Sequence, residues 1–160
     1  MSEPDRAVAD LFKRAFNRSV PTFPRHFVAT LQRDGHEELA GYIHFTAFDD
    51  GVYLCGGLCI DTRVYRRLTP LERSRVASYG SLSRWLILAS TSALGAKRAV
   101  FAYTGHTRSR TDAFALGYVP AKSALSFFSR ARKYLLVQWH NELDADRVQL
   151  VRRVAAHGPF

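Results

Sequence analysis

Residues 69–95 read Thr-Pro-Leu-Glu-Arg-Ser-Arg-Val-Ala-Ser-Tyr-Gly-Ser-Leu-Ser-Arg-Trp-Leu-Ile-Leu-Ala-Ser-Thr-Ser-Ala-Leu-Gly. Thr69 supplies an N-cap hydroxyl, Pro70 suits the first helical position and Glu72 the third, so a helix begins here. Leu82, Trp85, Leu86, Ala89 and Ala93 then fall on one face of a second, stronger helix that stops at Gly95. Gly80, with Ser78 and Ser81 beside it, is a poor helix interior, and the spacing predicts a break at Ser78-Tyr79-Gly80. The break matters chemically. An unbroken helix from Thr69 to Leu94 consumes its own amides between Val76 and Ser81, whereas a fresh helix start leaves donors that can hold an anion.

Upstream, Val8, Leu11, Phe12, Ala15 and Phe16 mark an amphipathic helix over 5–17, ended by Val20-Pro21-Thr22-Phe23-Pro24. Three strands follow. Phe27 to Gln32 turns at Arg33-Asp34-Gly35-His36, Glu38 to Phe48 turns at Asp49-Asp50-Gly51, and Val52 to Ile60 is nearly all apolar. Downstream, Arg98 to Thr104 reads as a strand and Thr107 to Leu116 as a short helix. Gly117-Tyr118 opens another extended stretch, Leu125 to Arg130 and Tyr134 to His140 form a last strand pair, and Asp144 to Ala156 is a tail helix. A helix, a three-strand meander and a strand-helix-strand crossover predict one α/β domain over 1–160. Its core is expected over 11–140: a mixed, mostly antiparallel sheet with helices on both faces.

This order resembles the GNAT superfamily of acyl-CoA-dependent N-acetyltransferases, over about Leu11 to His140. The family's signature at the start of the main helix is Gln or Arg, two residues, Gly, one residue, then Gly or Ala. Arg75-Val76-Ala77-Ser78-Tyr79-Gly80 fits it with Ser78 in place of the first glycine, and Ser81 follows. The resemblance implies that Arg75, Val76, Ala77, Ser78, Tyr79, Gly80 and Ser81 bind the diphosphate of acetyl-CoA. It also implies that Leu58, Cys59 and Ile60 pair with the pantetheine arm where β-pairing splays, which Gly56-Gly57 would suit. A second likeness lies in Val100 to His106 followed by Leu116-Gly117-Tyr118, where the family has a strand ending in Asn, a helix carrying Tyr, and Gly-Phe. His106 takes the Asn position as a cofactor contact, and Ala113 the Tyr position. Phe114 beside it cannot donate a proton. Residues 61–74 are an insertion relative to the family.

Acyl transfer to an amine wants an oxyanion donor and a proton acceptor. Family members often carry Glu on the cofactor strand, but Val52 to Ile60 has no carboxylate. Asp61, just beyond it, His106, and His44 on a central strand are the catalytic candidates, each with a structural alternative as cap or packing residue. Tyr103 and Tyr79 are further acids, and Phe127, Phe128 and Trp139 either wall an apolar pocket or belong to the core.

Composition narrows the field. The chain has 47% hydrophobic and 23% charged residues, too apolar for disorder. No apolar run is long enough to span a bilayer, and no secretory core opens the chain, so a cytoplasmic protein without a membrane partner is expected. Cys55 and Cys59 share a strand and read as buried thiols rather than a metal or disulfide site. No metal is expected. The net charge of +9 comes almost wholly from arginine, including Arg63, Arg66, Arg67, Arg73 and Arg75 around the phosphate loop. Acyl transfer to a small-molecule or peptide amine is one reading. A non-catalytic acyl-CoA-binding module and a basic nucleic-acid binder, with Arg108, Arg110, Arg130, Arg132 and Lys133 on its face, are the others. A homodimer is compatible with all three.

Overall fold

The computed structural model describes residues 3–22, 25–126, 133–140 and 146–157. Along the chain run α1 (Glu3–Phe16), β1 (Arg25–Arg33), β2 (His36–Asp49), β3 (Val52–Ile60), α2 (Thr62–Arg66), α3 (Pro70–Ser78), α4 (Leu82–Ala93), β4 (Ala99–Thr104), α5 (Thr107–Ala115), β5 (Val119–Ser126), β6 (Lys133–Trp139) and α6 (Arg147–His157). The strands form one six-stranded sheet in the order β1-β2-β3-β4-β6-β5. Two-residue turns at Asp34-Gly35 and Asp50-Gly51 close the meander. β3 and β4 run parallel, as a helical crossover requires, and β6 is antiparallel to both β4 and β5. The parallel register runs from Val52↔Ala99 to Cys55↔Ala102, while β3 itself continues to Ile60. This is the mixed, largely antiparallel sheet with flanking helices that the sequence predicts.

Packing divides the chain into two compact units, Met1–His44 with Gly57–Ala93, and Phe45–Gly56 with Leu94–Phe160. In the first unit β2 carries a helix on each face, because successive strand residues point to opposite sides. A Cβ on Gly41 would meet Ile60 Cδ1 at 2.8 Å and Leu86 Cδ2, on α4, at 3.2 Å. Tyr42 points the other way, and the Phe12 ring of α1 meets it edge-on at 5.5 Å. Leu11, Phe12, Tyr42 and Cys59 form the buried cluster there.

The stretch read as an insertion, 61–74, folds as α2 and the first part of α3. Thr69 Oγ1 accepts from the Glu72 amide and the Glu72 carboxylate accepts from the Thr69 amide, the complete capping box. α3 nevertheless buries no side chain. α4 buries Leu82, Leu86, Ile87, Ser90 and Thr91, a stripe rotated from the expected one. Trp85 is half-buried and Ala89 and Ala93 are exposed. Ser90 can replace an apolar residue because its hydroxyl donates to Leu86 O at 2.6 Å, within its own helix.

The second unit has a drier core: Val52, Leu54, Phe101, Leu135, Val137, Leu150 and Val154, with Phe48 and Trp139 packed against it. The described part of the two stretches expected over 118–130 runs as β5 to Ser126, with a register shift between Pro120 and Leu125. Phe127, Phe128, Arg130 and Arg132 lie outside the described residues, as do the first residues of the expected tail helix. Trp139 meets Phe101 edge-on at 5.8 Å and belongs to the core.

Candidate functional site

The break between α3 and α4 falls where the sequence places it, and its donors are distributed in a specific way. Arg75, Val76, Ala77 and Ser78 lie within α3. Tyr79 donates its amide to Val76 O at 3.1 Å and Gly80 to Ala77 O at 2.8 Å, so both close the end of α3. Gly80 then reverses the chain at φ +87°, a conformation that L side chains resist. Ser81 is the cap of α4: its Oγ accepts from the Arg84 amide at 3.0 Å and its carbonyl from the Trp85 amide at 3.0 Å. The break therefore opens a second helix at Leu82, one step later than expected, and within its first turn the Arg84 amide is already held by Ser81 Oγ. The Arg84 guanidinium lies directly over Gly80, and a Cβ at that position would run into Nη1 and Cζ. A positive helix end with a guanidinium beside it suits an anion.

Asp61, where β3 ends, is fully engaged. Its Oδ1 accepts from the Arg63 amide at 2.9 Å, capping α2, and its Oδ2 accepts from Arg63 Nη2 at 3.0 Å and Arg14 Nη2 at 2.9 Å. Hydrogen bonds from the Arg63 side chain, before all else, hold its carboxyl down at about 2. A carboxylate so stabilised is a weak base, and its geometry is that of a cap and clamp. Sequence reasoning named Asp61 but not Arg14, which reaches it from 47 residues away and carries no local signal.

His44 is 4% exposed, under α1. Its ring lies against Gly57, where a Cβ would come within 3.0 Å of His44 Cε1 and 3.0 Å of Phe12 Cε2. That close approach explains the glycine at 57 better than a departure in pairing does. His44 Nδ1 is buried with no hydrogen-bond partner. Burial, helped by the charge of neighbouring His26, pulls its pKa down to about 4, so the ring is neutral near pH 7. Two groups that the sequence reading passed over share this face: Tyr42 is wholly buried, and its hydroxyl hydrogen-bonds His26 Nδ1, at 2.6 Å. The alternation of Tyr42 and His44 on β2 was the available signal.

Leu58, Cys59 and Ile60 complete β3, with Cys59 buried and its thiol pushed up to about 12 by desolvation. Cys55 and Cys59 are both free. In the second unit His106 is exposed and sits at the N-cap of α5 without a side-chain cap bond, its amide donating to Thr104 Oγ1 at 3.3 Å. Tyr103 is half-buried, and desolvation raises its pKa. Ala113 is buried on α5 and Phe114 is exposed, so neither position offers a phenol.

No family model matches the sequence, and no curated protein is similar to it. Solved structures are. A chain of the NatC complex bound to Gag peptide and CoA is similar at TM-score 0.61 and 10% identity, over 88% of this chain and 93% of that one. The ribosomal-protein-S18-alanine N-acetyltransferase from Escherichia coli is similar at TM-score 0.58 and 13% identity, over 87% and 90%. Arabidopsis thaliana NAA60 in complex with a bisubstrate analogue gives 0.58 and 13%, over 87% and 94%.

The chain has the GNAT fold. Within it, the GNAT-like signature from Arg75 to Gly80 spans the end of α3 and the turn into α4, and the carboxylate-free β3 leads into an ion-paired Asp61. Among the described residues no helix is long and apolar enough to cross a membrane.

Proposed function

We propose that the protein is an N-acyltransferase that moves an acetyl group from acetyl-CoA to an amine. The observation that carries this reading is the opening of α4 after Gly80, in a chain with the GNAT fold. The residues present fit the donor. The start of α4 presents the positive end of its helix dipole to a diphosphate, Gly80 lacks a side chain there, and the Arg84 guanidinium lies beside it. Main-chain groups of Leu58, Cys59 and Ile60, the last residues of β3, are the ones that would pair with the pantetheine arm.

In the reaction the amine nitrogen attacks the thioester carbonyl carbon. A C–N bond forms, the C–S bond breaks, sulfur leaves as the thiolate, and the proton lost by nitrogen ends on that sulfur. Asp61 does not serve as base in this scheme, because protonating it sacrifices its bonds to Arg14 and Arg63. Positioning of the amine against the already activated thioester supplies most of the acceleration. His44 keeps a packing role under α1.

The test is direct. Acetyl-CoA in excess over its Kd raises the melting temperature by mass action. Free thiol then accumulates with amines drawn from a panel of peptide N-termini and small molecules. Absence of any thermal shift at millimolar acetyl-CoA overturns the reading. A second reading, an acyl-CoA-binding module without turnover, is favoured by the engaged Asp61 and the missing phenol at Ala113 and Phe114. A thermal shift without thiol release across the panel selects it. Binding to nucleic acid, the third reading of the +9 charge, predicts affinity that falls steeply with salt.

A further inference from the structure

α3 is attached to its unit in an unusual way. It buries no side chain, so apolar packing does little to hold it. Its Glu72 carboxylate instead receives the Arg33 guanidinium of β1 in a two-pronged pair, Nε to Oε1 at 3.1 Å and Nη2 to Oε2 at 2.7 Å. Both side chains are mostly covered, at 28% and 22% exposed. Arg33 Nη2 also donates to Arg67 O at 3.0 Å, where α2 ends, and Arg67 in turn pairs with Glu38 of β2. Two guanidiniums and two carboxylates thus alternate between the β1–β2 hairpin and the α2–α3 segment. Glu72 has a double task, since the same carboxylate caps α3 at the Thr69 amide. The far end of α3 is the Tyr79–Gly80 joint.

We infer that Arg33 is a positioning residue for the proposed diphosphate site: by pinning α3 through Glu72 it fixes where Gly80 and the first turn of α4 are presented. Arg33 touches no part of that site. It acts along the rigid helix from Glu72 to Ser78, in place of the apolar packing that α3 lacks. This rests on the acyltransferase reading for its consequence, but the pin itself stands on geometry alone. Arg rather than Lys is required, because a planar fork fixes direction as well as distance.

The experiment compares the full-length wild type with Arg33→Gln, Arg33→Lys, Glu72→Gln and the Arg33→Gln/Glu72→Gln double variant. Two readouts are used: hydrogen exchange by segment, and the Kd of coenzyme A by calorimetry. Glu72→Gln keeps one oxygen for the Thr69 amide and removes the charge and the Nε prong of the pin, so it weakens the pin while sparing the cap. Arg33→Gln is expected to speed exchange across 71–80 about fivefold, the range of one well-formed ion pair, with residues 86–93 unchanged. Its Kd for coenzyme A rises about threefold. The double variant adds little to Arg33→Gln alone, as members of one pair do, and Arg33→Lys recovers only part of the loss. In steady state the change appears in KM for acetyl-CoA, with KM for the amine and kcat unchanged.

Unchanged exchange across 71–80 in Arg33→Gln overturns the pin. Faster exchange with unaltered coenzyme A affinity overturns the positioning role. If the wild type binds no coenzyme A, the acyltransferase reading and the positioning role fall together, and exchange alone then decides the pin. Should Arg33→Gln fail to fold, Glu72→Gln gives the same exchange comparison from the other partner.

Discussion

The hydrophobic clusters of the two units differ in what lies beside them. Around Phe101 the second unit packs Val, Leu and Phe side chains with no titratable group among the residues of its buried cluster. Under α1 the first unit buries Tyr42 and His44 beside exposed His26, and along its α2–α3 segment it relies on Asp61, Glu72, Glu38 and four arginines. A dry core draws its stability from area removed from water and is insensitive to pH and salt. A core with buried imidazole and pinned helices responds to both. The unit that carries the proposed diphosphate site therefore has a stability that solution conditions can tune.

The sharpest way to break this contrast is at its extremes. Phe101→Ala, at a wholly buried site, should cost about 3–5 kcal/mol in denaturant unfolding through lost burial and a cavity. A loss below about 1 kcal/mol would mean that the second unit is not the dry core described. The next effect is in pH. His44 has a folded-state pKa near 4 against an ordinary imidazole value of 6.5, so between these values the unfolded chain holds the extra proton. Stability is then complete above about pH 6.5 and declines as pH falls towards 4, by roughly 2 kcal/mol after allowance for screening. His26 is shifted in the same direction by burial and adds to the slope. His44→Gln should flatten this slope, and an unchanged pH profile of melting temperature would remove His44 as its source. Asp61 titrates lower, near 2, so its contribution is lost only in stronger acid.

Smaller effects sharpen the picture around the break. Asp61→Asn keeps an acceptor for the α2 cap but loses the ionic clamp, with an expected cost of about 1 kcal/mol and a modest change in turnover. Loss of all thiol release with unchanged stability would reinstate Asp61 as a base. Gly80→Ala forces a side chain into positive φ and against Arg84, at about 1 kcal/mol, and should weaken coenzyme A binding more than it weakens the fold. The smallest effect belongs to Leu71→Ala on α3. That side chain is 63% exposed, so unfolding should shift by less than about 0.5 kcal/mol. A larger shift would show that α3 is held by apolar contact rather than by Arg33.

The strands and helices were legible because their signals are local. Val52 to Ile60 announced itself by an unbroken apolar run, and Thr69-Pro70-Leu71-Glu72 by a capping box whose partners lie within one turn. The break at Gly80 was equally local. Which amides the break frees was not, because that depends on how far α3 winds before Gly80 turns the chain, and Tyr79 and Gly80 are used in that winding. The buried stripe of α4 was misread for a related reason. Ser90 and Thr91 look polar in sequence, and only the helix carbonyl that satisfies Ser90 makes its burial cheap.

By itself the sequence determined element type, the crossover that makes β3 and β4 parallel, and the place where one helix gives way to the next. These follow from periodicity, glycine and capping chemistry, all of which act within a few residues. Tertiary structure alone decided that β6 lies between β4 and β5, that Asp61 is clamped by Arg14, and that Glu72 both caps its helix and binds Arg33. Each of those pairings joins residues far apart in the chain. Side-chain charge says that a partner is wanted, but only the folded backbone brings one within hydrogen-bonding distance.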